Sequence, residues 1–436
     1  MRALRTYEEA RAYSKTISKT GSILGLTSIR NLMRELGDVQ EKLHILHIAG
    51  TNGKGSTGAF LAAILKEAGF SVGRYTSPAV FTPLEVWSIN GTNISEEEYC
   101  KILSQVKDAC DILVSKGMPH PTIFEVETAV AFLYFYQKKC DYVLLETGMG
   151  GKEDATNLIQ KPVCSILTSI SMDHMKFLGN TLPKIAAQKA GIIKKGCPAF
   201  SSMQKEEALA VILKEAEKMD AKLTVANPEG YHILQKEEDS TTFVEPDLGE
   251  LTIPMAGEYQ IFNVSLAIET AKWLLQKEQV KNAKEIIKNG LKKACWPGRF
   301  ELLLKEPDVV VDGAHNEDAA LQLKKTVENC FTNRRITYII GVLADKEHEK
   351  MLKIMLPLAA KVYTVTPHND RALSGELLAK EARKFHSDVT EAESVEEAVV
   401  QALNQSKKED VILAFGSLSY LAEVKEAVKK ATDRKA

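Results

Sequence analysis

Residues 47–57, with the sequence HIAGTNGKGST, combine a glycine-rich turn with one lysine and two adjacent hydroxyl side chains. The apolar run 43–49 predicts a buried strand, and apolar residues at helical spacing over 60–68 predict a helix. A glycine-rich loop at a helix N-terminus binds phosphate through backbone N–H groups and the helix dipole. We therefore expect a nucleotide-triphosphate site in which Lys54 reaches the terminal phosphates.

This loop departs from the strict Walker pattern at two positions. Ile48 stands where the first glycine of that pattern belongs, and Gly55 separates Lys54 from the two hydroxyl side chains. Either hydroxyl, that of Ser56 or that of Thr57, could still ligate magnesium beside the phosphates. The alternative is a glycine-rich turn that only links a strand to a helix, and it leaves the lysine and the hydroxyls as coincidences.

Three further polar residues could carry chemistry. Glu146 ends a predicted strand over 141–146, where a carboxylate suits magnesium, although a surface glutamate is the alternative. His174 follows the next predicted strand, over 163–169, and is either a metal ligand or catalytic group or a structural histidine. Lys189 lies near the C-terminal end of a helix predicted over 182–190 and ended by Gly191, where a solvated lysine that favours the helix dipole is the default.

The elements around these residues alternate between apolar strands and amphipathic helices, which is typical of an α/β fold with a mostly parallel sheet flanked by helices. Such sheets bind ligands at the carboxyl ends of their strands, so the phosphate loop and the polar strand ends should meet there. A helix is predicted over 124–137. Residues 221–257 predict short strands, over 222–225, 232–235, 241–244 and 251–253, which we interpret as a small β subdomain closing the first unit. The turn at 296–299 predicts a boundary between domains 1–295 and 296–436.

The second domain repeats the alternation and should be a smaller, Rossmann-like α/β unit without a phosphate loop of its own. Its last predicted strand, over 411–415, precedes a predicted helix over 418–430. Its first predicted strand, over 309–311, is followed by the segment 312–316, with the sequence DGAHN. Residues directly past a strand face the ligand crevice of a doubly wound sheet. This segment is therefore a candidate binding element of the second domain.

Composition and charge argue against several classes of protein. The 436 residues carry a formal net charge of −2 with acids and bases interleaved, which predicts neither nucleic-acid nor membrane binding. The charged N-terminal stretch lacks the apolar core of a signal peptide, so we expect a cytoplasmic protein. Seven scattered cysteines without a Cys-x-x-Cys pair predict neither a disulfide framework nor a zinc site.

Taken together, the motifs resemble those of the folylpolyglutamate synthase and dihydrofolate synthase family, within the Mur ligase superfamily of ATP-dependent amide-forming enzymes. The resemblance extends from Tyr7 to about Val424, and the motifs occur in the family's order. They are GTNGKGS at 50–56, YTSP at 75–78, ETGMGG at 146–151, DATN at 154–157, DH at 173–174, KAG at 189–191, WPGR at 296–299, DGAHN at 312–316 and GS at 416–417.

The resemblance implies ATP-dependent addition of L-glutamate to a pteroate or folate. The carboxylate of that substrate would attack the γ-phosphate of ATP, and the glutamate amine would open the resulting acyl phosphate to an amide. It further implies two Mg²⁺ ions held by Ser56, Glu146 and His174, and a carbamylated Lys189. The alternatives are a Mur-type ligase acting on a cell-wall or other acceptor and, in another class, a phosphate-loop ATPase switch that acts through partner binding.

The resemblance also assigns roles to the remaining candidate residues, and we expect a monomer. The implied nucleotide contacts are Thr51, Asn52, Gly53, Lys54, Gly55, Ser56, Thr57, Asn263, Arg299 and Asp312. The implied catalytic residues are Lys54, His174, Lys189 and His315. The implied substrate contacts are Ser77, Pro78, Asp154, Thr156 and Ser417, with His315 and Ser417 supplied by the second domain.

The chain departs from the family pattern directly after Ser77 and Pro78. Ala79 stands where a histidine is usual, and residues 83–87, PLEVW, lack the phenylalanine and arginine of that pattern. Lys152 also stands where an arginine is usual. The resemblance therefore leaves open whether the enzyme adds the first glutamate, later glutamates or both.

Overall fold

The computed structural model describes residues 4–18 and 25–433. Its helices are α1 (Tyr7–Ile17), α2 (Thr27–Glu35), α3 (Lys54–Glu67), α4 (Glu96–Ser115), α5 (Ile123–Gln137), α6 (Met175–Leu178), α7 (Leu182–Ala190), α8 (Glu206–Lys218), α9 (Tyr259–Lys277), α10 (Ala283–Lys292), α11 (Glu317–Cys330), α12 (His348–Met355), α13 (Gly375–Ala382), α14 (Val395–Gln405) and α15 (Leu421–Asp433). Among the residues described, every helix is too short or too polar to cross a lipid bilayer.

The strands form three sheets. They are β1 (Ile45–Ala49), β2 (Val72–Tyr75), β3 (Trp87–Ile89), β4 (Thr92–Asn93), β5 (Tyr142–Glu146), β6 (Cys164–Leu167), β7 (Ala199–Ser202), β8 (Leu223–Ala226), β9 (His232–Lys236), β10 (Thr241–Glu245), β11 (Gly249–Ile253), β12 (Glu301–Leu304), β13 (Asp308–Val311), β14 (Ile336–Ile340), β15 (Lys361–Thr364), β16 (Val389–Glu391) and β17 (Val411–Phe415).

The largest sheet has the strand order β4-β3-β2-β5-β1-β6-β7-β8. All its strands run parallel except β3 and β4, which add an antiparallel edge next to β2. The parallel strands bring their carboxyl ends to one edge of the sheet, where α/β proteins bind ligands. The predicted mostly parallel sheet is therefore confirmed.

Helix α5, which belongs to the same part of the chain as this sheet, is buried over most of its length. Its start is a capping box, in which the Thr122 hydroxyl accepts the Glu125 N–H at 3.4 Å and the Glu125 carboxylate accepts the Thr122 N–H at 2.7 Å. Residues 128–135 are all buried, because the helix is apolar on every side. The prediction of a helix over 124–137 is confirmed to within one residue.

The second large sheet has the order β12-β13-β17-β14-β15-β16 and is parallel except for β12. Successive side chains of a strand point to opposite faces of the sheet. Val310 therefore packs with α11, α12 and α13 on one face, and Val309 packs with α14 and α15 on the other. Helices cover both faces, as a parallel sheet requires. The predicted Rossmann-like second unit is confirmed.

The chain divides into two compact units. Unit 1 comprises the described residues up to Pro78, together with Leu84–Pro228 and Phe262–Gly290. Unit 2 comprises Ala79–Pro83, Glu229–Ile261 and the described residues from Leu291 onward. The boundary between the units thus falls slightly before the one expected at residues 295 and 296.

The antiparallel sheet β9–β11 packs in unit 2, whereas the sequence had suggested that these strands close the first domain. An ion-pair network explains its place. The Arg334 guanidinium lies 2.8 Å from the Glu238 carboxylate, in the β9–β10 turn, and 2.6 Å from the Asp308 carboxylate of β13. Met255 and Ala256, which follow β11, are buried as well, and Ala256 joins the apolar core of this unit. Local sequence could not reveal these long-range contacts.

Two further elements differ from the predictions. The strand expected over 222–225 is β8, but it extends the large sheet beside β7 and is not part of the small sheet. The helix expected over 418–430 is a single 3₁₀ turn, Leu418–Tyr420, followed by α15. In that turn the Ser417 hydroxyl accepts the Ser419 N–H at 3.2 Å, which tightens the start of the element.

Candidate functional site

The glycine-rich loop joins β1 to α3, as its spacing predicted. Gly53 is the N-cap of α3 and has a φ of +89°, and the first helical hydrogen bond runs from the Thr57 N–H to its carbonyl at 2.9 Å. The N–H groups of Lys54, Gly55 and Ser56 precede that bond and so have no intrahelical acceptor. A helix N-terminus of this kind presents N–H groups and a positive dipole end to an anion.

The loop is held in place by the segment that follows β6. The N–H groups of Thr51 and Asn52 donate to the Ser169 carbonyl at 2.8 and 3.2 Å. A Cβ atom on Gly50 would lie 1.8 Å from the Thr168 hydroxyl, so only glycine permits this approach. The loop backbone is therefore fixed by its own sheet, which favours a preorganised anion site.

Asn263, from α9, packs directly against the loop. A Cβ atom on Gly53 would lie 2.1 Å from the Asn263 side-chain oxygen. The Thr57 hydroxyl also donates to the Asn263 carbonyl, at 3.4 Å. Asn263 was expected to contact the nucleotide, and its amide lies beside the residue that begins α3.

Two lysines meet at the Gly50 carbonyl, and one of them lies beside a carboxylate. The Lys54 ammonium donates to it at 3.2 Å, and the Lys189 ammonium donates to it at 2.7 Å. Lys54 also lies 3.7 Å from the Glu146 carboxylate, which ends the neighbouring strand β5. Lys189 is buried, with 4% of its surface exposed, so the default interpretation as a solvated lysine was wrong.

The three expected metal ligands lie on different elements of unit 1. Ser56 is buried in the first turn of α3, and Glu146 is tied to the loop through Lys54. His174 lies further along the chain as the N-cap of α6, with a φ of +50°, and its Nε2 atom is 3.9 Å from the Asp173 carboxylate. Within residues 4–18 and 25–433 no three His, Cys, Asp or Glu side chains lie close enough together to hold a metal ion by themselves. A Mg²⁺ site needs only one or two carboxylates besides phosphate oxygens and water.

Asp154 and Thr156 lie in the turn after β5 and are almost completely buried. The Asp154 carboxylate accepts the Met149 N–H at 2.8 Å and the Thr156 hydroxyl at 2.6 Å. Burial raises the pKa of Asp154, and these hydrogen bonds oppose that rise. The Thr156 oxygen in turn lies 2.9 Å from Nε2 of His47, a residue inside β1 whose sequence position indicated only a strand.

Ser77 and Pro78 follow β2 and are joined by a cis peptide bond. Because β2 pairs in parallel with β5, these residues leave the sheet at the same edge as Glu146. Tyr75, the last residue of β2, packs against Phe124, with ring centroids 6.3 Å apart. The expected substrate residues of unit 1 thus lie at the strand ends that also carry the phosphate loop.

In unit 2 the segment 312–316 follows β13, as predicted, and Asp312 is buried. Its two carboxylate oxygens accept the N–H groups of Phe300 and Ala314 at 2.9 and 2.8 Å. Burial raises the pKa of Asp312, whereas the nearby Arg299 guanidinium lowers it. Arg299 itself packs over Gly313, where a Cβ atom would lie 1.8 Å from its Nη1 atom.

His315 and Ser417 lie on adjacent turns of this unit. The Gly416 N–H donates to the Ala314 carbonyl at 3.0 Å, which joins the turn after β17 to the segment after β13. Nδ1 of His315 is 2.8 Å from the Gly313 carbonyl, an acceptor only, so the imidazole proton is on Nδ1 in the neutral ring. The structure therefore brings Arg299, Asp312, His315 and Ser417 to one edge of the second sheet.

Sequence reasoning missed two residues that support the loop. His47 lies inside the motif, but its buried contact with Thr156 spans 109 residues. Arg74 on β2 donates to the Gly55 carbonyl in the first turn of α3. The sequence signal for His47 and Arg74 is a polar residue within an apolar strand. That signal does not indicate which residue the side chain contacts.

Comparison with protein families gives two consecutive matches. Residues 48–271 match the Mur ligase middle domain, and residues 298–418 match the Mur ligase glutamate ligase domain. The middle-domain match includes the β9–β11 sheet, which packs in unit 2 of the structure. Sequence family and spatial packing therefore divide the chain differently at residues 229–261.

Comparison with known proteins gives relatives along the whole chain. The dihydrofolate synthase/folylpolyglutamate synthase of Bacillus subtilis is 36% identical over 433 residues, covering 97% of this chain and 99% of that protein. The Mycobacterium tuberculosis folylpolyglutamate synthase complexed with ADP and AMPPCP has a TM-score of 0.85 at 27% identity, covering 98% of each chain. E. coli FolC in complex with DHPP and ADP has a TM-score of 0.85 at 26% identity, covering 100% of both chains.

Proposed function

Because the chain belongs to the dihydrofolate synthase/folylpolyglutamate synthase family of Mur ligases, we propose that it is an ATP-dependent ligase that joins L-glutamate to a pteroate or folate carboxylate. One structural observation carries this proposal. Lys54 begins α3, where the first N–H groups have no acceptor within the helix. Its ammonium is 3.7 Å from the carboxylate of Glu146, the last residue of β5. That arrangement suits a nucleotide triphosphate and its counterion.

The reaction needs activation, because a carboxylate is a poor electrophile towards an amine in water. The acceptor carboxylate attacks the γ-phosphate of ATP to give an acyl phosphate and ADP. The glutamate amine then attacks the acyl carbon, which forms the amide and releases phosphate. The N–H groups at the start of α3 and the Lys54 ammonium stabilise the charge on the transferred phosphoryl group, since this chemistry depends mainly on positioning and charge neutralisation.

The side chains around the loop fit Mg²⁺. The Glu146 carboxylate and the buried Ser56 hydroxyl offer the oxygen ligands that this ion prefers, and both belong to segments at the loop. We propose that they hold the ion and that His174 holds a second one. Mg²⁺ bound there would neutralise phosphate charge.

Replacing Glu146 by glutamine tests the metal proposal. Glutamine keeps the size of the side chain but loses the charge, so the Mg²⁺ concentration for half-maximal rate should rise at least about 10-fold, a loss that removal of even outer-shell partners of a metal can cause. Rates measured across a Mg²⁺ series give this value. The matched control is Glu215→Gln, which removes a surface carboxylate paired with Lys218 on α8 and should leave the Mg²⁺ requirement unchanged. An unchanged requirement in Glu146→Gln would exclude Glu146 as a ligand.

We propose that Lys189 is carbamylated. Its amine is buried at the loop and donates to the Gly50 carbonyl, which the Lys54 ammonium also contacts, so a carbamate formed there would place an anion where a cation now lies. The neutral amine is the form that attacks CO₂, forming an N–C bond and losing a proton. The resulting carbamate is an anion beside the phosphate loop.

Incubation with ¹³C-bicarbonate should give a carbamate ¹³C resonance in the wild type. The resonance should be absent from Lys189→Ala and present in Lys194→Ala, which removes another partly buried lysine of unit 1 that donates to the Asn157 carbonyl. Wild-type protein that turns over fully with Mg²⁺ and shows no carbamate signal would contradict the modification.

The remaining assignments follow the family resemblance. We propose that the acceptor substrate contacts four residues of unit 1 that lie at or beside the strand ends carrying the phosphate loop: Ser77, Pro78, Asp154 and Thr156. In unit 2, we propose that Arg299 and Asp312 contact the nucleotide. His315 is proposed as a catalytic residue and Ser417 as a substrate contact. The cytoplasmic location and the monomeric state stay predictions.

The function is tested by ADP release and product analysis with dihydropteroate or tetrahydrofolate as acceptor. We expect ADP and an amide product only when an acceptor and L-glutamate are both present, and the preferred acceptor shows whether the first glutamate or later ones are added. ADP release that is indifferent to both folates would support an ATPase switch. Turnover that requires a cell-wall precursor instead would support another Mur-type ligase.

A further inference from the structure

His47 is a buried imidazole on the strand that leads into the phosphate loop. It lies in β1, where it pairs with Leu145 of β5 and Ser165 of β6, and none of its surface is exposed. Its Nε2 atom is 2.9 Å from the Thr156 oxygen, and among the residues that the structure describes none forms a hydrogen bond with its Nδ1 atom. The mechanism described above does not use this residue.

The direction of the hydrogen bonds can be worked out from donors and acceptors. The Thr156 oxygen is 2.6 Å from Oδ1 of Asp154, and the same oxygen of Asp154 also accepts the Thr156 N–H at 3.0 Å. A carboxylate only accepts, so the single Thr156 hydroxyl proton points to Asp154. The Thr156 oxygen must then accept from His47, which places the imidazole proton on Nε2.

The electrostatics of His47 agree with this assignment. Burial, reinforced by the Lys194 ammonium, lowers the pKa of His47 to about 3. The ring is therefore neutral at ordinary pH and carries one proton. With that proton on Nε2, Nδ1 has only a lone pair, which is consistent with its lack of a donor.

The hydrogen-bonded chain joins two parts of unit 1 that are distant in sequence. Oδ2 of Asp154 accepts the Met149 N–H at 2.8 Å, so the same carboxylate also holds the turn that follows Glu146. At its other end the chain is anchored in β1, whose next residues form the phosphate loop. His47, Thr156 and Asp154 thus fix the turn after β5 relative to the strand that carries the loop.

We propose that His47 is a positioning residue for the acceptor substrate. It does not touch the acceptor; it donates to the Thr156 hydroxyl, which holds the Asp154 carboxylate in one orientation. Without this donor the hydroxyl is free to rotate, and the carboxylate loses one of its fixed donors. The proposal rests on the proposed function, in which Asp154 and Thr156 serve the folate or pteroate acceptor.

The test compares variants by steady-state kinetics, with the acceptor and ATP varied separately. His47→Leu removes the donor, Thr156→Val removes the hydroxyl, and His47→Gln retains an N–H donor of similar reach. We expect His47→Leu and Thr156→Val to raise the acceptor KM about 5- to 10-fold, the scale of one lost buried hydrogen bond, and the ATP KM less than about 2-fold. His47→Gln should recover most of the loss.

Two comparisons separate positioning from a general loss of stability. Ser165→Ala removes a buried hydroxyl that donates to the Ile192 carbonyl at 2.8 Å, next to His47 in the sheet, and should lower the melting temperature without changing the acceptor KM. The double variant His47→Leu/Thr156→Val should be no worse than either single variant, because both break the same chain. If His47→Leu fails to fold, Thr156→Val and His47→Gln still decide the question.

Several outcomes would overturn the proposal. They are an unchanged acceptor KM in Thr156→Val, equal rises in the acceptor KM and the ATP KM, additive losses in the double variant, or an acceptor KM in Ser165→Ala that rises as much as in His47→Leu. A wild type that releases ADP without regard to folate would instead refute the proposed function. The two failures are thus distinguished by the wild-type measurement.

Discussion

Replacing Lys54 by alanine is expected to lower the rate of ligation by about 10²–10³-fold, the usual loss when one contact to developing charge is removed. The lysine ammonium lies at the phosphate loop, bonded to the carbonyls of Gly50 and Thr51 at 3.2 and 3.4 Å. These bonds are long and partly exposed, so they add little to folding. The melting temperature of the variant should therefore stay close to that of the wild type while kcat falls.

Lys66→Ala is the matched control for this experiment. It removes the other lysine of α3, whose ammonium donates to the Asn90 carbonyl at 2.8 Å in an exposed position. The same charge is lost from the same helix, yet we expect no change in kcat. A folded Lys54→Ala variant with near-normal turnover would remove Lys54 from the mechanism.

Replacing Gly53 by alanine should lower kcat/KM for ATP by about 10²-fold or more, because displacements of about 1 Å in a catalytic site cost this much. Gly53 has a φ of +89°, a conformation that costs an alanine about 1–2 kcal/mol. Its new Cβ atom would also lie 2.1 Å from the Asn263 side-chain oxygen. Either Asn263 or the start of α3 must move, and both were assigned to the nucleotide. Titration with ATP and a thermal melt measure the two effects.

Gly69→Ala separates the clash from the backbone strain. Gly69 follows the other end of α3 with a φ of +91°, and no atom of the described part of the chain lies within 4 Å of the position its Cβ atom would occupy. The stability loss from strain should therefore resemble that of Gly53→Ala, while ATP binding stays normal. If the two variants bound ATP equally well, the close packing of Asn263 against the loop would have no functional role.

The local elements were predictable because their signals are local. The predicted strand 411–415 and the predicted helix 182–190 have the same first and last residues in the structure. Apolar periodicity indicates where each element lies, and the glycine that follows it indicates where it ends. The phosphate loop could be placed for the same reason: a strand, a glycine-rich turn and a helix occur within one short stretch. Glu146 was likewise expected at a strand end, and β5 ends there.

Long-range packing was not predictable. Strand β8 resembles the strands of the small sheet in its short length and in its residue types. Only its pairing with β7 assigns it to the large sheet. The small sheet itself belongs to unit 2 through Arg334, which forms ion pairs with Glu238 and Asp308. Burial likewise distinguishes Lys189 from a solvated helix-end lysine, and burial depends on the whole fold.

The sequence alone determined the class of fold, the phosphate loop and the order of motifs that identifies the ligase family, because each depends on residue types at short, fixed spacings. The tertiary structure decided which of these residues meet: Lys54 and Lys189 at the Gly50 carbonyl, Asn263 against Gly53, and His47 on Thr156. The physical reason is that strand order and helix packing set these contacts, and neither is encoded by the residues of any one segment.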